Sequence, residues 1–206
     1  LKVLVACEYS GTVRDSFSNL GHDAWSCDLL ETDVPGNHYK GNVIDIINDG
    51  WDLMIAHPPC TYLTNSGVCH LHKDPRRWID LFDAADFFKS LLNANIPKIA
   101  IENPIMHKYG KKLIGVNQSQ VIQPWMFGHT EQKATCLWLK NLPLLNETNN
   151  VKDKMMLLSK KERQRLYHLP SSKDRWKIRS ITFKGIANAM AEQWGKNITK
   201  EAMQWK

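Results

Sequence analysis

Short apolar runs that alternate with stretches of helical period constrain this chain most, because that alternation generates a mainly parallel sheet with helices on both faces. Residues 2–6 read as a buried first strand. Residues 12–20 read as the helix after it, with Val13, Phe17 and Leu20 at helical spacing, and Gly21 stops it as a C-terminal glycine would. A second strand covers 24–27 and ends at Asp28, and a later one covers 52–56 and stops at the Pro58-Pro59 pair. The longest helix is expected over 74–93, where Trp78, Leu81, Phe82, Ala85, Phe88 and Leu92 form one apolar stripe that reads as core packing. Residues 97–101, 120–124 and 135–139 supply further strands, the last an antiparallel candidate, and 182–194 return to a helical pattern.

Length and composition narrow the organisation. A chain of 206 residues with 43% hydrophobic content buries one sizeable core, so we expect a single domain over 1–206. Residues 141–177 are polar, rich in Lys, Asn and Arg, and read as a loop region or small basic insertion. No apolar run approaches the roughly 20 residues that span a bilayer, and the start enters a strand without a signal-peptide pattern. The expectation is a soluble, cytoplasmic protein, monomeric or weakly dimeric. Five cysteines, at 7, 27, 60, 69 and 136, lack the paired spacing of a zinc site or disulfide framework and read as thiols in a reducing compartment. A formal charge of +6 favours a polyanionic partner.

In open parallel sheets, ligands bind outside the carboxyl ends of the strands. The first such loop, Cys7-Glu8-Tyr9-Ser10-Gly11, has a tight Ser-Gly turn before a helix N-terminus, as a nucleoside-type cofactor needs. It is not the Gly-x-Gly-x-x-Gly pattern, so a dinucleotide is not supported. Asp28, followed by Leu29, and Asp45, followed by Ile46, are acids placed to accept ribose hydroxyls and an adenine amino group. Each also reads equally well as a helix or turn cap.

Two further strand ends are more specific. The run from Asp52 to Ala56 delivers Cys60 inside the proline-stiffened turn His57-Pro58-Pro59-Cys60. A thiolate can attack carbon 6 of an electron-poor pyrimidine and so make carbon 5 nucleophilic enough to take a methyl group from a sulfonium donor. That attack needs an acid that hydrogen-bonds the ring, and Glu102, in Glu102-Asn103-Pro104 at another strand end, suits the role.

In this order of motifs the chain resembles the DNA cytosine-5 methyltransferase family. The resemblance runs from the Ser10-Gly11 loop through Asp28, Asp45, Pro58-Pro59-Cys60 and Glu102-Asn103-Pro104 to Phe183-Lys184-Gly185-Ile186-Ala187-Asn188-Ala189-Met190. It covers most of 1–140 and then 178–195. It implies a Rossmann-like S-adenosylmethionine-dependent methyltransferase fold, S-adenosylhomocysteine as product, no metal, and a cytosine flipped out of the duplex. Cys60 would attack carbon 6, Glu102 would hold ring nitrogen 3 and the amino group, and Asn103 would fix the loop. Cofactor contacts would fall to Cys7, Glu8, Tyr9, Ser10, Gly11, Asp28, Leu29, Asp45, Ile46, Pro58, Asn188 and Ala189. DNA contacts would fall to Thr61, Thr64, Asn65, Gln132, Lys133, Arg163, Arg175 and Lys177.

The chain departs from the family pattern in several places. Glu8-Tyr9 stands where a Phe is usual, Thr61-Tyr62 where a Gln follows the nucleophile, and Gln132-Lys133-Ala134-Thr135 where a Gln-x-Arg-x-Arg strand is expected. Only 141–177 stand in place of a target-recognition domain. Phosphate contacts give affinity without sequence, so relaxed or very short site preference is expected, as would suit a phage-encoded modifier working in host cytoplasm. Two other readings stay open: the same Cys60 chemistry on uracil, RNA or a nucleotide or with another donor, and a degenerate fold that binds nucleic acid without turnover. His57, His70 and His72 lack the accompanying carboxylates of a metal site, and Trp176, amid basic residues, is a stacking candidate.

Overall fold

The computed structural model describes residues 1–196. Seven strands, β1 (Lys2–Ala6), β2 (Asp23–Asp28), β3 (His38–Lys40), β4 (Leu53–Ala56), β5 (Lys98–Pro104), β6 (Gln120–Ile122) and β7 (Thr135–Lys140), form one sheet in the order β3-β2-β1-β4-β5-β7-β6. Neighbours from β3 to β5 pair in parallel, while β7 runs antiparallel to both β5 and β6. The helices are α1 (Thr12–Ser18), α2 (Asn65–Val68), α3 (Arg76–Leu92), α4 (Lys108–Ile114), α5 (Lys152–Met156), α6 (Lys160–Arg163), α7 (Arg175–Ser180) and α8 (Lys184–Trp194). This is the mainly parallel, Rossmann-like α/β sheet expected from the alternation, with its one reversed long strand where 135–139 suggested it.

The central strands read as unbroken apolar runs because both their faces are covered. Alternate residues Val3, Val5, Leu53, Ile55, Ala100 and Leu137 point to one side and pack with Val13 and Phe17 of α1 and Ile186, Met190 and Trp194 of α8. The intervening residues Leu4, Met54, Ile99, Ile101 and Trp138 pack on the other side with Leu81, Ala85, Phe88 and Leu91 of α3. Full burial of one such side chain stabilises by about 1.5–3 kcal/mol, so α8 is held to the sheet by several residues of this kind despite its distance along the chain. The expected stripe on α3 departs at one residue: Leu81, Ala85 and Phe88 are buried and Trp78 and Leu92 pack against the same core, but Phe82 is 49% exposed and Leu91 takes an inner place.

Register sets the functional edge. Ala6 pairs with Cys27 and with Ala56, and Ala56 pairs with Ile101. The next residues, Cys7, Asp28, His57 and Glu102, therefore come level at the carboxyl edge of four adjacent strands.

Several elements differ from the sequence reading. Strand β3 is three residues long at the sheet edge and carries no apolar run. Residues 43–45 form a 3-10 turn capped by Asn42, whose side chain accepts from the Ile44 amide at 3.1 Å, so Asp45 follows an edge strand through this turn. Glu102, Asn103 and Pro104 lie within β5, paired with Leu137, Cys136 and Thr135, rather than after it. The segment over 141–177 holds α5, α6 and the start of α7, and it is anchored: Leu145 and Met155 are buried, and Val151 donates its amide to the Trp125 carbonyl at 2.8 Å.

Candidate active site

The turn after β4 is built around the Cys60 carbonyl, which accepts from the amides of Leu63 (3.1 Å) and Thr64 (3.2 Å) and from the Thr64 hydroxyl (3.1 Å). Asn103, fully buried, donates through Nδ2 to the Pro58 carbonyl at 3.0 Å, and His107 reaches the Tyr62 carbonyl at 3.0 Å. The nucleophile candidate thus sits on a turn clamped from below by β5 and the start of α4.

Glu102 is brought to the same edge and meets His57, whose Nδ1 lies 2.7 Å from Glu102 Oε2. Both side chains are nearly covered, at 11% and 12% exposure. Burial pushes the Glu102 carboxyl up, but the hydrogen bond and charge of His57 and the charge of Lys133 outweigh it and hold the group below its ordinary value. Lys133, Thr135, Thr182, Phe183 and Ile186 close around Glu102 in a small cavity. A larger, shallow hollow of about 210 Å³, lined by Pro59, Tyr62, Asp80, Asp83, Ala84 and Phe87, contains neither Cys60 nor Glu102. Of the two, only the smaller is lined by Glu102, and Cys60 lines neither.

Cys60 is a thiol at rest. Burial raises its pKa first, the Glu102 charge raises it further, and Lys133 and Arg179 draw it back down. Replacing Lys133 with Met removes one of the two opposing cations. We expect the midpoint of Cys60 alkylation by iodoacetamide, followed by mass spectrometry across pH, to move upward by about half a unit to one unit. An unchanged midpoint would show that Lys133 does not act on the thiol.

No family model matches the chain, and no curated protein matches it either. Among solved structures, the chain is similar to an E. coli protein described as a DNA modification methyltransferase encoded within a prophage, at 16% identity, TM-score 0.45, covering 84% of this chain and 56% of that one. It is also similar to the Entamoeba histolytica methyltransferase EhMeth, at 15% identity, TM-score 0.46, covering 72% of this chain and 57% of that one. The chain spans a little over half the length of either structure. Such distant likenesses carry no argument about chemistry, which rests on the residues.

The remaining candidates are spread along the same edge. Cys7 takes a left-handed backbone (φ 58°), and its thiol is pushed up to about 12 by burial and by Asp28 and Cys27. Glu8 is buried and commits its carboxylate to the helix start, accepting from the Val13 amide (2.7 Å), the Arg14 amide (3.1 Å) and the Ser10 hydroxyl (3.2 Å). Gly11, at φ 71°, adopts the left-handed turn that leads into α1. Tyr9 is buried against α7: its hydroxyl donates to the Lys177 carbonyl at 2.9 Å and its ring lies 6.1 Å from Trp176.

Asp28 Oδ1 caps the Leu30 amide at 3.0 Å, and the neighbouring Leu29 is 73% exposed. Asp45 is exposed, 3.4 Å from the Tyr39 hydroxyl, beside half-buried Ile46. The loop opposite is pinned by the buried Arg14, whose guanidinium donates to Ser26 and Thr32 hydroxyls and to the Val34 and Pro35 carbonyls at 3.1–3.3 Å. At the far end, Asn188 Oδ1 meets the Ser16 hydroxyl at 3.0 Å and Ala189 is buried, so both sit where α8 packs on α1.

Among the DNA-contact candidates, Thr61 and Asn65 are exposed, whereas Thr64 is buried in the turn. Gln132 takes the Arg163 carbonyl on its amide at 2.6 Å, and its side chain accepts from Gln164 at 3.2 Å. Lys133 donates to the Arg179 carbonyl at 2.9 Å. Arg163 donates to Met156 Sδ at 3.4 Å, and Arg175 to the carbonyls of Leu169 and Tyr167 at 2.9 Å. Those arginines brace the segment itself. Lys177 lies over the rings of Tyr9 and Trp176, with Trp176 54% exposed. Among the described residues, no cluster of three or more His, Cys, Asp or Glu could hold a metal ion, and no helix is long and apolar enough to cross a membrane. His72 instead meets the rings of Trp78 and Tyr109 at 5.7 and 6.3 Å.

The sequence reading missed the partnership of His57 with Glu102 and the part of Thr182 and Phe183 in closing the cavity. Level registry of β4 and β5 was the signal that would have found the first.

Proposed function

We propose that this chain transfers a methyl group from S-adenosylmethionine to carbon 5 of cytosine in DNA, with Cys60 as nucleophile. The observation that carries the reading is the clamped, strand-end Cys60 together with Glu102 on the adjacent strand, near enough for its charge to act on the thiol. Residues suited to a nucleoside support the reading: Asp28 ends β2 beside the exposed, apolar Leu29, Asp45 is an exposed carboxylate after β3, and Gly11 lets the backbone turn closely into α1. Asp28 and the first loop would hold the ribose and amino acid parts, and Asp45 with Leu29 and Ile46 the base. S-adenosylmethionine, when bound, supplies an electrophilic methyl group.

The protein's own groups carry the rest. The Cys60 thiolate forms a bond to carbon 6 while Glu102 hydrogen-bonds ring nitrogen 3 and the exocyclic amine, which moves electron density onto carbon 5. Once carbon 5 has taken the methyl group, it gives its proton to a solvent water, and the electron pair of that bond re-forms the ring double bond as the bond from Cys60 to carbon 6 breaks to release the thiolate. Phe183 and Ile186 line the cavity and limit its access to water. Contacts to the DNA backbone fall to Lys177 and its neighbours, with Trp176 as a stacking surface, and with little means of reading base edges the site preference is relaxed.

One observation favours a second reading. A carboxylate held ionised accepts from the N3–H of uracil, whereas ring nitrogen 3 of cytosine is itself an acceptor, and Glu102 is held on the ionised side. The test is transfer of labelled methyl from S-adenosylmethionine to cytosine-containing duplex, single strand, RNA and mononucleotide, followed by nucleoside mass spectrometry. The expected product is 5-methylcytosine from DNA. Label on a uracil ring moves the assignment to the second reading, and donor and DNA binding without product moves it to a binding protein.

A further inference from the structure

We infer that His57 is the proton store of the site: it shares a proton with Glu102 and passes it through that carboxylate to ring nitrogen 3 as Cys60 attacks. The inference rests on the cytosine reading above and removes the conflict between an ionised Glu102 and an acceptor ring nitrogen.

The geometry is specific. His57 Nδ1 and Glu102 Oε2 are 2.7 Å apart, a charge-assisted distance, and both groups are nearly covered. The contact is imposed by the fold, because His57 and Glu102 each follow directly the paired residues Ala56 and Ile101. The far ring nitrogen, Nε2, is buried without a hydrogen-bond partner among the described residues, so Glu102 is the group through which the ring exchanges its proton. The charged and titratable groups that act on the imidazole are Glu102, Glu8 after β1, and Lys133 before β7. Burial alone would lower its pKa and Lys133 adds to that. The hydrogen bond and charge of Glu102, with the charge of Glu8, outweigh them and raise it.

The proton count balances. At rest the pair holds one mobile proton on His57 and Glu102 is a carboxylate. As the sulfur–carbon 6 bond forms, the electron pair displaced through the ring reaches nitrogen 3 and takes that proton by way of Glu102, leaving His57 neutral. When the methyl group has been taken up and the ring electrons return, nitrogen 3 gives the proton back to the pair. A pair that must start protonated makes the rate fall as pH rises through the raised His57 value, while the need for the Cys60 thiolate makes it rise with pH.

His57 is therefore a positioning residue that works through Glu102, and two measurements test it. The first needs no substrate: imidazole NMR of the whole protein across pH. His57 is expected to titrate above the ordinary histidine value in the wild type and below it in Glu102→Gln, where burial is left without its counter-charge. A wild-type value at or below the ordinary one overturns the inference. The second is the pH profile of kcat for His57→Gln, which keeps a side-chain donor to Glu102 but carries no titratable proton. The alkaline limb is expected to move to lower pH by about one unit or more, with kcat near neutrality down about tenfold to a hundredfold. A profile parallel to wild type, or a loss confined to KM, overturns the proton role. If the wild type methylates no cytosine, the cytosine reading fails and the hand-off to nitrogen 3 fails with it; a failed NMR titration removes the inference alone.

Discussion

Cys60→Ser is expected to lower methyl transfer by about three orders of magnitude or more while leaving donor and DNA binding within a few-fold of wild type. Serine is nearly isosteric with cysteine, and the turn is organised by the Cys60 carbonyl rather than by its sulfur, so the clamp from Asn103 to the Pro58 carbonyl survives. What is lost is a nucleophile whose conjugate base is accessible. A serine hydroxyl beside the charge of Glu102, in the same covered position, ionises far less readily than the thiol it replaces. Single-turnover transfer of labelled methyl, alongside titration calorimetry for donor and duplex, measures both halves. Activity retained within tenfold of wild type would remove Cys60 from the mechanism, whereas loss of both binding and turnover would point to a misfolded turn.

The second large effect concerns a residue that touches no reactant. A Cβ placed on Gly67 would overlap the Thr61 carbonyl oxygen and press on the backbone of Tyr62, one and two residues after Cys60. Thr61 belongs to the turn gathered on the Cys60 carbonyl, and α2 cannot yield freely because the Gly67 amide donates to the Thr64 carbonyl at 2.9 Å. Gly67→Ala should therefore shift the Cys60 turn. Displacement of a reacting atom by even about 1 Å can cost about a hundredfold in rate, and we expect a fall of that order in kcat. Stability should drop by only about 1–3 kcal/mol, the usual cost of one overpacked methyl. Urea unfolding and kcat measured on the same preparation separate the two. A kcat near wild type would mean that α2 moves away and the turn does not.

What could be read in the sequence follows from how each element is stabilised. Strands β1, β4 and β5 are buried on both faces, so Val3 to Ala6, Leu53 to Ala56 and Ile99 to Ile101 stand out as apolar runs. Strand β3 depends on pairing with β2 alone at the sheet edge, and His38-Tyr39-Lys40 shows no apolar pattern. Helix α4 was missed although its signals were present: His107 caps it through Nδ1, and Gly115 ends it in the left-handed region. Helices α5 and α6, of five and four residues, are too short to show a period, which is why 141–177 read as loop.

At the site, Cys60, Glu102 and Asn103 were legible as motifs, because a strand end followed or preceded by proline is a local pattern. The bond from His57 to Glu102 joins residues 45 apart and is decided by registry between two strands. The commitment of Arg175 to the carbonyls of its own loop was equally hidden, since composition alone cannot distinguish a brace from a phosphate contact.

Tyr9 makes the two ends of this edge answerable to one another. It stands in the first loop, yet its hydroxyl is satisfied by a carbonyl of α7 and its ring by Trp176 and Lys177. A ligand that shifts the first loop must strain or release those contacts, and a polyanion that draws Lys177 away must do the same to the first loop. Linkage is symmetrical: the factor by which either ligand changes the affinity of the other is one and the same number, typically worth about 1–3 kcal/mol. Through that one phenol, a ligand bound at either end would change the affinity of the protein for a ligand at the other.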